Sequence, residues 1–456
     1  MAGRLSCALA RGIRARLRDI APGLCGHKII VFTQPICDNA ALEKTAGSRG
    51  KELSSTESRQ RVLSGMRPTG RLHLGHLHGV LKNWIHLQHT YDCYFFVADW
   101  HALTTHYNDP SILEEHVVDM VIDWLAVGVD PAAASIFVQS QVPEHAELHL
   151  LLSMITPLGW LERVPSYKDQ QEKLKDRDLE TYGFLGYPLL QSADILIYKA
   201  GQVPVGADQV AHVELTREVA RRFNHMYGRE PDFVERAQAV IRKMSKQAGR
   251  EYKALCTAYQ EQGQQEALAS GRALLAQQQN LSAADRERLQ GFLEGSGKSI
   301  LVEPQSLLTP AAKMPGLDGQ KMSKSYNNTI ALREPVDQVS KKISTMPTDP
   351  ARVRRNDPGN PEKCPVWQLH EVYSDASTRD WVQQGCRSAG IGCLECKKPV
   401  IDAVVAELQP IQVRASEYEK NPDAVRAVLA EGAEKARATA AATMQDVRAA
   451  MGLNYR

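Results

Sequence analysis

The chain has 456 residues, 43% of them hydrophobic, with a formal net charge of +2. That length suits about three domains at ~150 residues each, and so small a charge excludes a nucleic-acid binder that works by bulk attraction, leaving a local basic patch as the only electrostatic route to such a partner. No apolar run approaches the ~18 residues of a transmembrane helix, so no membrane partner is expected, and nine cysteines in a long chain without a secretory signal favour reduced thiols or metal ligands over a disulfide framework.

Residues 1–58 read differently from the rest. Arg4, Arg11, Arg14, Arg16 and Arg18 all precede the first acidic residue, Asp19, and residues 47–60 are polar and rich in Ser, Arg and Glu. An organelle transit peptide has this Arg-rich, acid-poor character. A disordered extension, or a start codon placed upstream of the true one in a bacterial gene, has it too. The extension is the reading adopted, with a cytoplasmic location. A transit peptide would instead place the protein in a mitochondrial or plastid matrix.

Strands and helices then alternate. Val62–Met66 reads as a short buried strand, and Leu74–Gln88 as a helix with Leu74, Leu77, Leu81, Trp84 and Ile85 on one face. Tyr94–Ala98 is an apolar strand. Asp109-Pro110 opens a helix, with Asp as N-cap and Pro at the first helical position. That helix runs through Val117, Met120, Val121 and Trp124 and stops near Gly128. Ile136–Gln139 is a third strand. The alternation predicts an α/β fold, a doubly wound parallel-sheet, Rossmann-like catalytic domain over 59–335 with ligands at the carboxyl ends of its strands. Residues 230–300, rich in Gln, Ala, Glu and Arg, read as a helical insertion in it. Residues 336–456 read as a separate helical domain, most strongly helical over Ala424–Met451.

Two loops carry nucleotide chemistry. Ser64 to His76 (SGMRPTGRLHLGH) follows a strand and enters a helix, where free N–H groups and the positive dipole end receive phosphates. Gly75 lets a ligand approach the backbone. His73 and His76, three apart and so on one helix face, can donate to a phosphate as charge builds. Surface histidines, or a zinc site with His78, are the bland alternatives; nothing at helical spacing completes the latter. Pro315 to Ser325 (PGLDGQKMSKS) sets two lysines around a small hydroxyl residue in a Gly-rich loop. Such a loop can close on a triphosphate and stabilise departing pyrophosphate. A similar stretch, Lys243-Met244-Ser245-Lys246, lacks the last serine and the Gly-rich approach and lies in a helical run, so it is set aside.

Together, His73-Leu74-Gly75-His76 and Lys321-Met322-Ser323-Lys324-Ser325 resemble the signature pair of class I aminoacyl-tRNA synthetases. The segments 97–107 (VADWHALTTHY), 156–170 (TPLGWLERVPSYKDQ), 186–200 (GYPLLQSADILIYKA) and 203–217 (VPVGADQVAHVELTR), with Met451-Gly452-Leu453, are similar to tryptophanyl-tRNA synthetases. The resemblance covers nearly everything after residue 60. It implies tryptophan activation with ATP and Mg²⁺ by in-line attack of the carboxylate on the α-phosphate, then transfer to tRNA(Trp), by a homodimer. It implies ATP contacts at Arg67, Pro68, Thr69, Gly75, His76, Lys168, Gly206, Ala207, Asp208, Met314 and Lys321–Ser325, with His73, His76, Lys321 and Lys324 catalytic. Arg67 replaces a glutamine common in related enzymes.

Asp194 sits in an apolar run, Leu189 to Tyr198, where a carboxylate needs a partner. The indole N–H needs an acceptor, and the resemblance gives Asp194 that role; a helix N-cap is the plain alternative. Tyr187 and Gln209 match family residues that line the tryptophan pocket. Gln191 stands where many bacterial members carry Met and is similar to a residue of tyrosyl-tRNA synthetases, which keeps tyrosine as an alternative substrate. Outside the synthetases, a small-molecule nucleotidyltransferase and a non-catalytic tRNA-binding paralogue compete. The first would need neither Lys321–Ser325 nor a large helical C-terminal domain; the second should have lost its signatures.

Cys364, Cys386, Cys393 and Cys396 have 21, six and two residues between them. Four thiolates suit zinc or an iron–sulfur cluster, and spacing does not choose between them. The stretch 386–399 (CRSAGIGCLECKKP) resembles the tryptophanyl-tRNA synthetases that carry a 4Fe–4S cluster near the anticodon site, which implies such a cluster in a helical anticodon-binding domain. Lys341, Lys342, Arg352, Arg354 and Arg355 form a candidate patch for tRNA phosphates, or else a solvated loop.

Overall fold

The central strand is β1 (Arg61–Met66), of which Val62 and Leu63 are buried and Gly65 is exposed at the carboxyl end. It pairs in parallel with β2 (Asp92–Val97) on one side and β4 (Gln202–Val205) on the other. β3 (Ala134–Val138) and β5 (Gln305–Leu308) complete a parallel five-stranded sheet in the order β3-β2-β1-β4-β5. The computed structural model describes residues 59–455 apart from 112, 166–180, 229–231, 296, 298 and 309–313. Among the described residues no helix is long and apolar enough to cross a membrane.

Side chains alternate across the sheet with the period of two that a strand imposes. Cys93, Phe95 and Val97 enter one core with α1 and α3, whereas Tyr94 and Phe96 enter the other with α4, α6 and α7. Here α1 is the continuous helical run Leu74–His76, Leu77–Leu81 and Lys82–Thr90, whose middle stretch is π-helical. α2 is Asp99–His106, α3 Leu113–Val127, α4 Glu144–Ser153, α5 Leu158–Leu161, α6 Tyr182–Ile197 and α7 Val210–Tyr227. The Asp-Pro start predicted for α3 is a turn instead. Asp109 accepts from the Ser111 hydroxyl at 2.6 Å, and helix begins at Leu113.

The insertion consists of α8 (Phe233–Ile241), α9 (Lys246–Gln260), α10 (Gln265–Ala276) and α11 (Ala283–Glu294), packed on a core of their own around Ile241, Tyr252, Leu289 and Leu293. Asn224 at the end of α7 fastens its return. The Asn224 amide donates to the Leu301 carbonyl and accepts from the N–H groups of Ile300 and Leu301. Of the 243–246 stretch only Lys246 is helical, as the first residue of α9; the rest joins α8 to α9, where Ser245 caps α9 and Lys243 pairs with Asp285 at 2.8 Å.

After residue 336 come α12 (Val336–Thr345), α13 (Pro365–Tyr373), α14 (Ala376–Arg387), α15 (Cys393–Glu419) and α16 (Pro422–Ala450). The apolar faces of all but α14 share the cores of the sheet. Val400, Val404, Leu408 and Ile411 of α15 join the cluster of α1 and α3. α16 crosses the edge strand β3. Val425 and Leu429 enter one core; Ala433, Ala436, Ala440 and Met444 enter the other. At the crossing, Gly432 lies so close to β3 that a Cβ would stand 1.8 Å from the Ile136 carbonyl oxygen. A helix laid over an edge strand also removes it as a template for pairing with another chain.

Candidate active site

The strand order reverses between β1 and β4, which opens a crevice at their carboxyl ends. A cavity of about 520 Å³ lies there. Of the residues expected in a site, Arg67, His76, Gln191, Asp194, Gly206 and Gln209 line it, together with His101, Phe96, Asn83 and Trp84. Tyr187 is buried beneath it, with the Arg67 guanidinium 5.9 Å from its ring centre. Pro68, Thr69, Gly75, Ala207, Asp208 and Met314 lie outside the wall itself. Lys168 falls outside the described residues.

The chain leaves β1, turns at Gly70 (φ +90°) and enters α1 at His73. The two histidines are brought together by capping and not, as the spacing suggests, by sharing a helix face. His73 is the N-cap: its Nδ1 accepts from the Gly75 N–H at 3.1 Å, while His76 Nδ1 accepts from the His73 N–H at 3.3 Å. Their ring centres are 3.9 Å apart. Burial, aided by Lys324, lowers His73 to about 4; burial, then His73 and Lys324, lowers His76 to about 3. Both imidazoles are therefore neutral near pH 7, each with an Nε2–H left to donate.

The lysine loop is held by pairing of its own backbone. Gly316 N–H donates to Gln320 and Met322 N–H to Met314, at 2.7 and 3.1 Å. Asn328, which sequence reasoning missed, organises it from within. Its Oδ1 accepts from the Ser323 N–H, and its Nδ2 donates to Asp318 and to the Lys321 carbonyl. Met314 and Met322 point into the core; Lys321, Lys324 and Ser325 are exposed. Lys324 Nζ donates to the carbonyls of Thr69 and Gly70, at 2.9 and 2.8 Å, so the loop closes onto the turn before His73. Partial burial of this ammonium lowers it to about 8 against the opposing pull of Asp123.

Asp194 is 1% exposed in the last turn of α6 and is not a helix N-cap. Its carboxylate accepts from His101 Nε2 at 2.8 Å, Gln139 Nε2 at 2.7 Å and His145 Nδ1 at 2.6 Å. Burial alone would raise its pKa, but the bonds from His101 and His145 outweigh burial and hold it far below the usual carboxylate range. A carboxylate has about four acceptor positions, so this anion keeps capacity for one more donor at the cavity wall. The three donors were missed because they come from α2, α4 and the end of β3. Only the His101 segment, VADWHALTTHY, held a signal for them. Gln191 Oε1 accepts from His212 Nδ1 at 2.5 Å, and burial, then His101 and Arg67, lower His212 to about 4. Gln191 lines the cavity beside Asp194.

Cys364, Cys386, Cys393 and Cys396 surround one small cavity with Arg352 and Lys397. The Cys396 thiol is pushed up to about 12 by burial and then by the other three cysteines. Among the described residues no group of three or more His, Cys, Asp or Glu is arranged to hold a metal ion. Neither zinc nor a cluster is thus established at these thiols. The basic patch shrinks: Arg352 is 8% exposed and donates to the carbonyls of Arg355 and Ile391, and Lys342 pairs with Glu334 at 2.5 Å. Lys341, Arg354 and Arg355 remain exposed.

The profile of "tRNA synthetases class I (W and Y)" matches residues 55–255 and 264–409. A tryptophan–tRNA ligase of Ralstonia nicotianae is 66% identical over 396 residues, covering 87% of this chain and 99% of that protein. One of Thermotoga maritima is 44% identical over 397 residues, covering 87% and 100%. The crystal structure of the Campylobacter jejuni tryptophanyl-tRNA synthetase, complexed with ADP and tryptophan, superposes with a TM-score of 0.65 at 27% identity, over 86% of this chain and all of that one. With both signature loops meeting at the switch point of a parallel sheet, the chain belongs to the class I tRNA synthetases of the tryptophan and tyrosine type, in their tryptophan–tRNA ligase branch.

Proposed function

We propose that this chain is an enzyme that activates L-tryptophan with ATP and passes the tryptophanyl group to tRNA(Trp), releasing AMP and pyrophosphate. The observation that carries this reading is a single cavity with an anionic, fully buried Asp194 at one wall and the His76 loop at the other. The indole N–H is a donor without acceptor capacity, and Asp194 supplies an acceptor for it. Gln191, which already accepts from His212, also lines the cavity and can donate to an acceptor on the substrate.

His73 and His76, both neutral, donate to the phosphates; Lys321 and Lys324 stabilise the charge of the leaving pyrophosphate. Positioning and charge stabilisation do most of the work of such a displacement. Mg²⁺ fits as a companion of ATP, because it is held mainly by phosphate oxygens and water and needs few protein carboxylates. When bound, it supplies charge neutralisation on the pyrophosphate.

At the four cysteines we read a 4Fe–4S cluster, with zinc as the alternative. Supporting a metal group there are four thiols around one cavity, with Arg352 and Lys397 beside them to offset thiolate charge. Such a group would tie Cys364, ahead of α13, to Cys386 and the start of α15. The surrounding helices, with Lys341, Arg354 and Arg355, are the surface we assign to the anticodon arm of tRNA. A homodimer is supported by exposed Leu150 on α4, Met154 just after it, Leu158 on α5 and Tyr182 at the start of α6. We place the protein in the cytoplasm, with a mitochondrial or plastid matrix as the alternative.

Tryptophan-dependent ATP–pyrophosphate exchange tests the reading. Exchange with tryptophan, none with tyrosine, and subsequent charging of tRNA(Trp) are expected. Exchange with tyrosine alone would shift the substrate, and no exchange with either would leave a nucleotidyltransferase or a binding paralogue.

A further inference from the structure

A buried ion pair lies directly under the junction of the two ATP loops. Asp123, in α3, is 1% exposed, and the Arg333 side chain is 7% exposed. Asp123 Oδ1 accepts from Arg333 Nε at 2.7 Å, and its other oxygen accepts from the backbone N–H of Leu72 at 3.1 Å. Arg333 is anchored further by Asp119 at 2.9 Å and Glu419 at 2.5 Å. Its fork therefore has one orientation.

Leu72 precedes His73. Its N–H is held by Asp123 and its carbonyl by the Leu332 N–H at 3.0 Å, while the Leu74 N–H donates to Ile330 at 3.1 Å. The segment after the lysine loop is thus laddered to the residues on either side of His73, and Arg333 and Asp123 close that ladder from below. Lys324 spans to Thr69 and Gly70 a few residues away. The offset between the histidine and lysine loops is set here, by a charge pair that touches neither face of the cavity.

We propose that Asp123 and Arg333 are positioning residues for adenylate formation, which hold the His73 backbone in register with the lysine loop; this rests on the ATP-activating reading above. Misplacement of about 1 Å by a residue remote from the chemistry can cost about a hundredfold. The transition state, which needs both loops at once, should suffer more than the binding of either substrate.

The test uses the full chain with wild type, Asp123→Asn, Arg333→Lys, Arg333→Met and the double variant Asp123→Asn/Arg333→Met. Pyrophosphate exchange gives kcat and KM for ATP, equilibrium dialysis gives Kd for tryptophan, and circular dichroism monitors folding. Asp123→Asn should lower kcat about 10- to 100-fold, with KM for ATP and Kd for tryptophan within about threefold of wild type. Arg333→Lys, which keeps the charge but not the fork, should lose less than Arg333→Met. The double variant should be no worse than the poorer single one, because paired residues act as a unit. Unchanged kcat in folded Asp123→Asn overturns the proposal. So do additive losses, or loss of tryptophan binding in step with kcat. If Asp123→Asn does not fold, the ranking of the two Arg333 variants decides. Inactive wild type would instead refute the functional reading, a separate outcome.

Discussion

Lys324 donates its ammonium to the Thr69 carbonyl at 2.9 Å across 255 residues of sequence. Neutral carbonyls attract an ammonium less than phosphate oxygens do, because the latter carry a full negative charge. The lysine thus sits at the turn before His73, where we propose that phosphates bind, with partners that a triphosphate can displace.

Lys321→Ala and Lys324→Ala should each lower the rate of adenylate formation about a hundredfold, the scale of losing one transition-state donor. Tryptophan affinity should change little, because the charge they meet develops in the transition state. Lys243→Ala, which breaks only a pair with Asp285 in the insertion, should leave the rate unaltered. Pre-steady-state adenylate formation measures all three, and equal losses at Lys243 would show that the wrong loop had been assigned.

Asp194→Asn should reduce kcat/KM for tryptophan by about a hundredfold or more, since a site built around one polar partner discriminates poorly once that partner is changed. The asparagine also brings a donor amide toward His101, Gln139 and His145, which already donate to this carboxylate. A lower Tm is therefore expected with ATP binding retained. Exchange kinetics alongside calorimetry check this, and an unaltered kcat/KM would remove Asp194 from the tryptophan site.

Glu407 of α15 accepts from His78 at 2.9 Å, Lys82 at 2.6 Å and Tyr373 at 2.8 Å. Burial would raise it, but hydrogen bonds from His78 and Lys82 prevail and hold it to about 2, against an ordinary value of 4.5. Its folded pKa is depressed, so its stabilisation is present above about 4.5 and is lost as pH falls toward about 2. Glu407→Gln should cost roughly 2 kcal/mol at pH 7 and much less at pH 3. Urea unfolding at the two pH values measures the difference, and an equal cost at both would rule out this charge linkage.

Gly432→Val places a branched side chain where even a Cβ meets the Ile136 carbonyl oxygen at 1.8 Å. Overpacking typically costs about 1–3 kcal/mol, occasionally more, and a backbone obstacle cannot rotate away. The upper end or beyond is expected, with α16 released from β3. Amide hydrogen exchange in residues 422–450 would report that release, and wild-type protection there would contradict the close approach.

Protein purified anaerobically should contain about four irons and four sulfides per chain and be brown if the cysteine site takes a 4Fe–4S cluster. Cys393→Ser with Cys396→Ser should lose the colour and destabilise the surrounding helices, because ligation to such a loop adds folding free energy. Pyrophosphate exchange should largely survive while tRNA charging falls. One zinc in colourless protein would select the other ligand, and no metal with full charging in the double variant would reduce the four cysteines to ordinary thiols.

The sequence by itself determined what is encoded at short range. Apolar periods place β1, α1, α3 and β3, and HLGH with KMSKS together carry the resemblance to class I synthetases before any fold is known. It could say that Asp194, in an apolar run, needs partners. It could not say that they are His101, Gln139 and His145, which lie 93, 55 and 49 residues away. Tertiary structure alone decided that His73 is an N-cap, that Asn328 braces the lysine loop, and that Arg352 turns inward instead of serving a basic patch. It also sent α16 across β3 on a glycine and joined the later helices to the cores of the sheet. The physical reason is the range of the forces involved. Backbone periodicity and turn preferences are set by neighbours a few residues apart. The partner of a buried polar group is whichever distant element packing brings within hydrogen-bond reach, and its cost if left unpaired is what makes that choice specific.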